Sequence, residues 1–423
     1  MTANKGKGRP YIKGNTDLIS TIIYFFFASL FFIWICTTFR NVVHMDMIQI
    51  IHTKVKHLFD GSLSINDFIY QPLFPTFISI CFTFLNAKAF HLNTVIESVL
   101  GATFLAALGY KYMYEMQKFT GGRYTQYLFS LIISVIVFGL YKWEANFTSF
   151  FSFAVFFTLF ICVFSWFFVM KYISNGLYLY KWYHLLLFII ANLIVISENP
   201  AYFYSYIISL IVVLVLVRIF YITNVDSRRW KIILIISVIL LVLTGIVTGV
   251  LSKHPSYSHY SSTLSIFSFF KALYQSPLWM IKFYLIANTG PFIGEADSFL
   301  NMRALIGLII IAAYVMAIYL VIKKKDYRLV IPLAMILYNI FSYAFVMMGR
   351  YNFNILEFGA SSRYTAFNMS GVLGLSTILF VYAIETKEKV GKTLAVWVLA
   401  LIVIGNLYVT FKQIRISPYR TEA

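Results

Sequence analysis

Carboxylates are scarce in this chain. Asp and Glu together supply 16 of 423 residues against 34 Lys and Arg, and charges of both signs make up only 12% of the sequence. Soluble domains carry about twice that density of charge, so a globule with a polar coat is excluded. Cysteine is nearly absent too: Cys36, Cys81 and Cys162 lie in or beside apolar segments at no metal-ligand spacing, which argues against disulfides and structural zinc and leaves them as packing residues. There is no glycine-rich phosphate loop, no HExxH motif and no GxSxG elbow, so nucleotide-driven and hydrolase chemistries lack their signatures. No internal repeat or low-complexity linker divides the chain. Residues 1–423 therefore read as a single integral membrane domain.

What is abundant is apolar. The chain is 60% hydrophobic and holds 43 Phe and 31 Tyr. Apolar runs near 18–40, 93–115, 125–142, 146–170, 183–199, 201–222, 231–251, 301–322, 329–348, 365–385 and 392–412 each approach the length that crosses about 30 Å of hydrocarbon as a helix. The expected fold is all-α and polytopic, with about 11 transmembrane helices. The first run has no small-residue cleavage site behind it and is too long for a signal-peptide core, so it is expected to be retained. The net charge of +18 does not point to nucleic acid, because the basic residues sit between the apolar runs. Membrane lipid with anionic headgroups is the expected partner.

Lys and Arg gather in the tail (Lys5, Lys7, Arg9, Lys13) and in links holding Lys111/Lys118/Arg123, Lys171/Lys181, Arg228/Arg229/Lys231, Lys323/Lys324/Lys325/Arg328 and Lys387/Lys389/Lys392. The positive-inside rule makes those links cytoplasmic. They share one side only if the chain does not cross between Asp46 and Asn93. The stretch "YQPLFPTFISICFTFLNAKAF", residues 70–90, would then lie on the outer face as a juxtamembrane helix or dip in and return, with Pro72 and Pro75 breaking its start. The alternative is an ordinary span with inverted topology downstream. A second outer segment, 252–300, opens with "SKHPSYSHYSSTLS" and continues with "FFKALYQSPLWMIKFYLIA", which reads as another interfacial helix. Chemistry is expected in the outer segments 41–92, 252–300 and 349–364.

In "HMDMIQIIHTKVKHLFDG", residues 44–61, Met47, Ile50, Ile51, Val55, Leu58 and Phe59 follow helical spacing, with Gln49, His52, Thr53, Lys54, Lys56 and His57 on the other face. A helix lying on the membrane and ended by Gly61 is the simplest account. Asp46 fits two compatible roles: an N-cap whose capping box Gln49 completes, and a base facing outer solvent. Glu144 in "KWEANF" and Glu198 in "SENPAYF" sit at outer turns, either as solvated caps, with Lys142 pairing Glu144, or lining a cleft. Asp67 and His254 are further candidates for the acceptor side. In "GRYNFNILEFGASSRYTAF", residues 349–367, Arg350 and Arg363 stand on the outer side, where arginines are disfavoured. A lipid phosphate at headgroup depth would account for them, and so would snorkelling of Arg363 with a Glu357 salt bridge.

These pieces together resemble the GT-C superfamily of polytopic glycosyltransferases, and in particular the bacterial Gtr-type serotype-converting glucosyltransferases. The resemblance rests on "HMDMIQ" after the first span, "LFDGSLSINDFIYQPLFP", "WEANF" and the late "GR…FGASSRY". It implies a polyprenyl-phosphate-sugar donor, a cell-surface glycan acceptor such as O-antigen, a bacterial inner-membrane location with the site facing the periplasm or outside, and partner enzymes that supply the lipid-linked sugar. It also implies Asp46 as general base, Arg363 with Arg350 and Tyr364 on the donor phosphate, and Glu144 in an acceptor or auxiliary role beside Glu198. Related chains often place a second acid beside the first and a His-Pro pattern further on. Here Met45 and Met47 flank Asp46, and Gln71 precedes Pro72, so no obligatory metal is expected. Two rival readings stand: an O-antigen-type polymerase or ligase, and a lipid-linked sugar flippase or transporter.

Overall fold

The computed structural model describes residues 18–38, 48, 50–64, 66–69, 77–147, 149–174, 182–198, 200–221, 225–251, 266–295, 299–351 and 354–420. Helices of ten residues or more are α1 (Leu18–Thr38), α2 (Phe77–Phe90), α3 (Thr94–Met116), α4 (Arg123–Phe138), α5 (Ser149–Ile173), α6 (Trp182–Glu198), α7 (Pro200–Phe220), α8 (Ser227–Leu251), α9 (Ile266–Gln275), α10 (Pro277–Ala287), α11 (Leu300–Lys324), α12 (Val330–Arg350), α13 (Ser362–Glu385) and α14 (Lys389–Arg420). Among the described residues there are no strands, only an isolated antiparallel bridge between Ser174 and Val225. The fold is all-α, as lipid demands: a backbone without water must satisfy its own hydrogen bonds.

Nine helical stretches among the described residues are long and apolar enough to cross a membrane, and they involve α1, α4, α5, α7, α8, α11, α12, α13 and α14. That is two fewer than the apolar runs suggest. The α3 helix has 23 residues but carries Glu97, Lys111 and Glu115, and α6 has only 17 residues. Burial sorts the nine into a centre and a rim: 89% of the apolar window of α13 is buried and 78% of that of α12, against 28% for α1, α11 and α14 and 22% for α8. Glycine allows the central pair to approach. A Cβ on Gly374 of α13 would strike the Pro332 carbonyl of α12, and one on Gly371 would meet Asn339.

The described members of the basic links expected to share a side gather at one end of the bundle, the basic end; the tail residues Lys5, Lys7, Arg9 and Lys13, and Lys181, lie outside the described residues. Glu115 accepts from Lys111 at 2.6 Å, Lys118 at 2.9 Å and Lys171 at 2.7 Å. The Asp226 N–H donates to Ile173 O at 2.8 Å, and the Tyr327 hydroxyl donates to Met170 O at 2.9 Å. Arg328 pairs with Asp326 at 2.6 Å and with Glu385.

Across the opposite, far end lies α2. Its 14 residues span about 21 Å, too short to cross. Both its ends are tied to that same end of the bundle. Near its start the Ile78 and Ser79 N–H groups donate to Glu198 at 2.9 and 3.2 Å, and near its finish Asn86 donates to Glu97 at 2.9 Å and to Asn93 O at 3.1 Å. The Phe82 ring stacks on Phe153 of α5 at 5.2 Å.

The amphipathic stretch before α2 departs from regular helical spacing. Residues Ile51–Val55 form a π-turn that runs into Lys56–Phe59, and Gly61 ends it at φ 73°. The wider turn carries Lys54 inward: it is 6% exposed, rather than solvated on the polar face, and donates to Asp67 O at 3.1 Å.

The expected single interfacial helix over 269–287 is also corrected. Ser276 separates α9 from α10, with Pro277 opening the second helix. Instead of lying flat, α10 enters the bundle: Met280, Phe283, Ile286 and Ala287 are buried, and Asn288 and Thr289 after it are fully buried. Helix breaks at depth survive only where protein satisfies the freed backbone. Asn368 of α13 donates to Ala287 O at 3.0 Å, Asn339 of α12 donates to Asn288 Oδ1 at 3.1 Å, and Tyr284 donates to Ile340 O at 3.0 Å. A short turn, Gly290–Ile293, leads back out, where Arg303 of α11 holds the carbonyls of Gly294 at 2.9 Å and Glu295 at 2.6 Å.

Candidate functional site

At the far end α4 stops at Gly139, and the chain turns through Leu140–Lys142 into Trp143–Phe147. Lys142 does not pair with Glu144 as the sequence suggested. Its fully buried ammonium donates to Val137 O at 2.7 Å and Gly139 O at 2.8 Å, satisfying carbonyls that the end of α4 leaves open. Glu144 is thereby free to face α13. Its Oε2 accepts from the hydroxyls of Ser361 at 3.1 Å and Ser362 at 2.9 Å, and its Oε1 pairs with Arg363 Nη2 at 2.7 Å. A carboxylate at the start of a 24-residue helix also meets the positive end of its dipole.

Arg350, at the end of α12, comes to the same place. Its guanidinium lies 5.4 Å from the ring centroid of Tyr364, and Arg350, Arg363 and Glu144 all act electrostatically on that tyrosine. Tyr364 is 8% exposed, and its carbonyl accepts from Tyr343 at 3.1 Å. Glu144, nominated from one stretch, therefore meets Arg350, Arg363 and Tyr364, nominated together from another. Arg363 pairs with Glu144 and Arg350 packs over the Tyr364 ring, so two guanidiniums and one carboxylate meet at this corner of the far end.

Glu198 lies apart from this cluster. It is fully buried and accepts from Ile78 N, Ser79 N and the Ser79 hydroxyl, which makes it the anchor for the start of α2. Asp67 belongs to a third constellation. Its Oδ2 accepts from Ser64 N at 2.8 Å and Ser64 Oγ at 3.0 Å, and its Oδ1 faces His57 Nδ1 at 3.0 Å. Burial raises the Asp67 carboxyl, but the Ser64 N–H, His57 and the Ser64 hydroxyl outweigh it, and the group stays below its ordinary range. Asp46, Gln49 and His254 lie outside the described residues.

No family model, curated protein or solved structure matches the chain. The site therefore rests on its own geometry. Among the described residues no three His, Cys, Asp or Glu side chains group as metal ligands.

Sequence reasoning missed the polar floor beneath the cluster. Asn368 donates to the Tyr343 hydroxyl at 2.7 Å as well as to Ala287 O, and Thr365 donates to Tyr141 O at 2.9 Å. Asn339, Asn368 and Asn288 are all fully buried. The signal was present in "LYNIF" and "AFNMS", where a lone amide interrupts an apolar run, the pattern of a polar contact between membrane helices.

Proposed function

We propose that this protein is a GT-C-like membrane glycosyltransferase that moves a sugar from a polyprenyl-phosphate carrier to a surface glycan. The observation that supports it most is the convergence of Arg350, Arg363, Tyr364 and Glu144 beside the inserted helix α10. In this reading α3 and α6 cross with the other nine helices, the basic end faces the cytoplasm and the far end meets the outer leaflet of a bacterial inner membrane. The arginines hold the donor phosphate at headgroup depth, with Tyr364 packed beneath them.

The reaction is a single displacement at the anomeric carbon. Asp46 takes the proton of an acceptor hydroxyl, whose oxygen forms the new bond to carbon. The bond from that carbon to the carrier phosphate breaks, and its electron pair goes to the phosphate oxygen, where Arg363 and Arg350 stabilise the charge. Incubating purified protein with a radiolabelled polyprenyl-phosphate sugar and a glycan acceptor tests this directly. Wild type should label the glycan, and Asp46→Asn and Arg363→Gln should lower the rate at least about 100-fold. Full activity in Asp46→Asn would remove the base, and no transfer by wild type with any donor would remove the function.

One observation favours a second reading, a flippase for lipid-linked sugars. The break between α9 and α10 and the buried turn after it form the kind of discontinuous helix that transporters use for binding. Movement of the lipid-linked sugar across proteoliposomes without any glycan product would select that reading.

A further inference from the structure

In the segment 50–69, before α2, one side chain has two ring nitrogens in different surroundings. His57 Nδ1 meets Asp67 Oδ1 at 3.0 Å, with side-chain exposures of 44% and 10%. The other carboxylate oxygen, Oδ2, accepts from Ser64 N at 2.8 Å and Ser64 Oγ at 3.0 Å, the capping contact of the short helix Asn66–Ile69. Capping needs only Oδ2, which leaves Oδ1 for the imidazole. An ionised carboxylate only accepts, so Nδ1 carries the proton and Nε2 of the neutral ring is an acceptor. Among the described residues none bonds to Nε2.

Packing fixes the mounting of this ring. Gly61 turns the chain at φ 73°, and the Ser62 N–H donates to His57 O at 3.1 Å. Phe68, next to Asp67, packs on Phe77 and Phe84 of α2 with ring centroids 6.1 and 5.2 Å apart, and Val55 shares a buried cluster with Ile80, Phe84 and Ala87 of the same helix. Since α2 is itself tied to Glu198 and Glu97, the imidazole is held at the far end. An ion pair this exposed adds little stability, so orienting the ring is its larger effect.

We propose that His57 Nε2 accepts a hydrogen bond from a hydroxyl of the glycan acceptor, and that Asp67 is the positioning residue that sets its tautomer. The inference rests on the transferase reading above. A glycan is too polar to arrive through lipid, so it comes from outer solvent and meets exposed groups of the far end. Sugar hydroxyls are donors, and an imidazole fixed as an acceptor distinguishes a hydroxyl from its deoxy counterpart.

The probe is the oligosaccharide mixture that mild acid releases from bacterial lipopolysaccharide, titrated calorimetrically into the purified protein in detergent. His57→Asn keeps an N–H for Asp67 and removes the acceptor at Nε2, whereas His57→Gln reaches the Nε2 position with an oxygen and gives up Asp67. One lost hydrogen bond should weaken binding about tenfold in His57→Asn with Tm unchanged, and His57→Gln should recover part of that loss. In the transfer assay His57→Asn should raise KM for the acceptor about tenfold and leave kcat within about twofold. A role confined to holding the segment together gives the opposite order, with His57→Asn silent and His57→Gln impaired, and overturns the proposal. So does a wild type that binds no oligosaccharide. Wild type that binds but transfers nothing overturns the transferase reading instead, and the binding titration still decides the site.

Discussion

Arg363 and Glu144 meet at 2.7 Å with side-chain exposures of 26% and 6%, so the pair sits between the surface regime, where ion pairs add little, and the buried regime, where breaking one is costly. Replacing Arg363 by Gln leaves a nearly buried carboxylate with only its two serine hydroxyls. We expect a loss of about 1–3 kcal/mol, read as a lower Tm in detergent. The double variant Glu144→Gln with Arg363→Gln should recover part of that loss, and strictly additive Tm shifts would argue against direct coupling. A second prediction concerns Asp67, whose carboxyl is held below its ordinary range. A depressed folded pKa stabilises the ionised form, so the contribution is full above the unfolded value of about 3.9 and is lost as pH falls through the folded value. Protection from hydrogen exchange across residues 50–69, relative to the intrinsic rate at each pH, should therefore fall as pH drops below about 4, and Asp67→Asn should flatten that dependence. At this scale the sequence exposed polar residues in apolar surroundings, which is why Glu144, Arg350 and Arg363 could be nominated. It could not expose their pairing, because Glu144 and Arg363 lie on helices far apart in the chain.

The inserted helix α10 shows where reading by elements ran out. Its composition suits the membrane interface, and nothing in its periodicity distinguishes lying on a bundle from entering one. What draws it inward is elsewhere: Asn339 and Asn368, and a glycine on α11. A Cβ on Gly307 would run into the Leu285 carbonyl, so α10 and α11 touch backbone to side-chain-free backbone there. Gly307→Ala should push the two apart, lowering Tm by several degrees and broadening the size-exclusion peak. Gly249→Ala on α8, where an added Cβ meets nothing within 4 Å, is the matched control and should be neutral. The π-turn at Ile51–Val55 was equally hidden, since one extra residue per turn shifts a face without changing composition.

For the whole molecule, the helical spans were legible because lipid imposes a long, uninterrupted apolar signature, and all nine candidate spans overlap runs seen in the sequence. The grouping of basic links at one end was legible for a similar reason, charge being excluded from the spans between them. Sidedness follows as a fourth prediction. In a background with Cys36, Cys81 and Cys162 replaced, Asp60→Cys should react with an impermeant maleimide in intact cells, and Lys325→Cys should react only after permeabilisation; both positions are exposed. The reverse pattern would invert the topology.

The lacing of the basic end has a mechanical corollary. Glu115 to Lys171, Ile173 to Asp226, Met170 to Tyr327 and Arg328 to Glu385 stitch successive links into one girdle. On the proposed transferase reading, a bundle clamped at one end opens from the other, and the girdle is the pivot for admitting the lipid-linked donor. Locking the pivot with Ser174→Cys and Val225→Cys, which face each other across the antiparallel bridge, should leave turnover intact. Locking the jaws with Gly359→Cys and Ala287→Cys, positions whose Cβ atoms would lie 3.1 Å apart, should stop turnover until the disulfide is reduced.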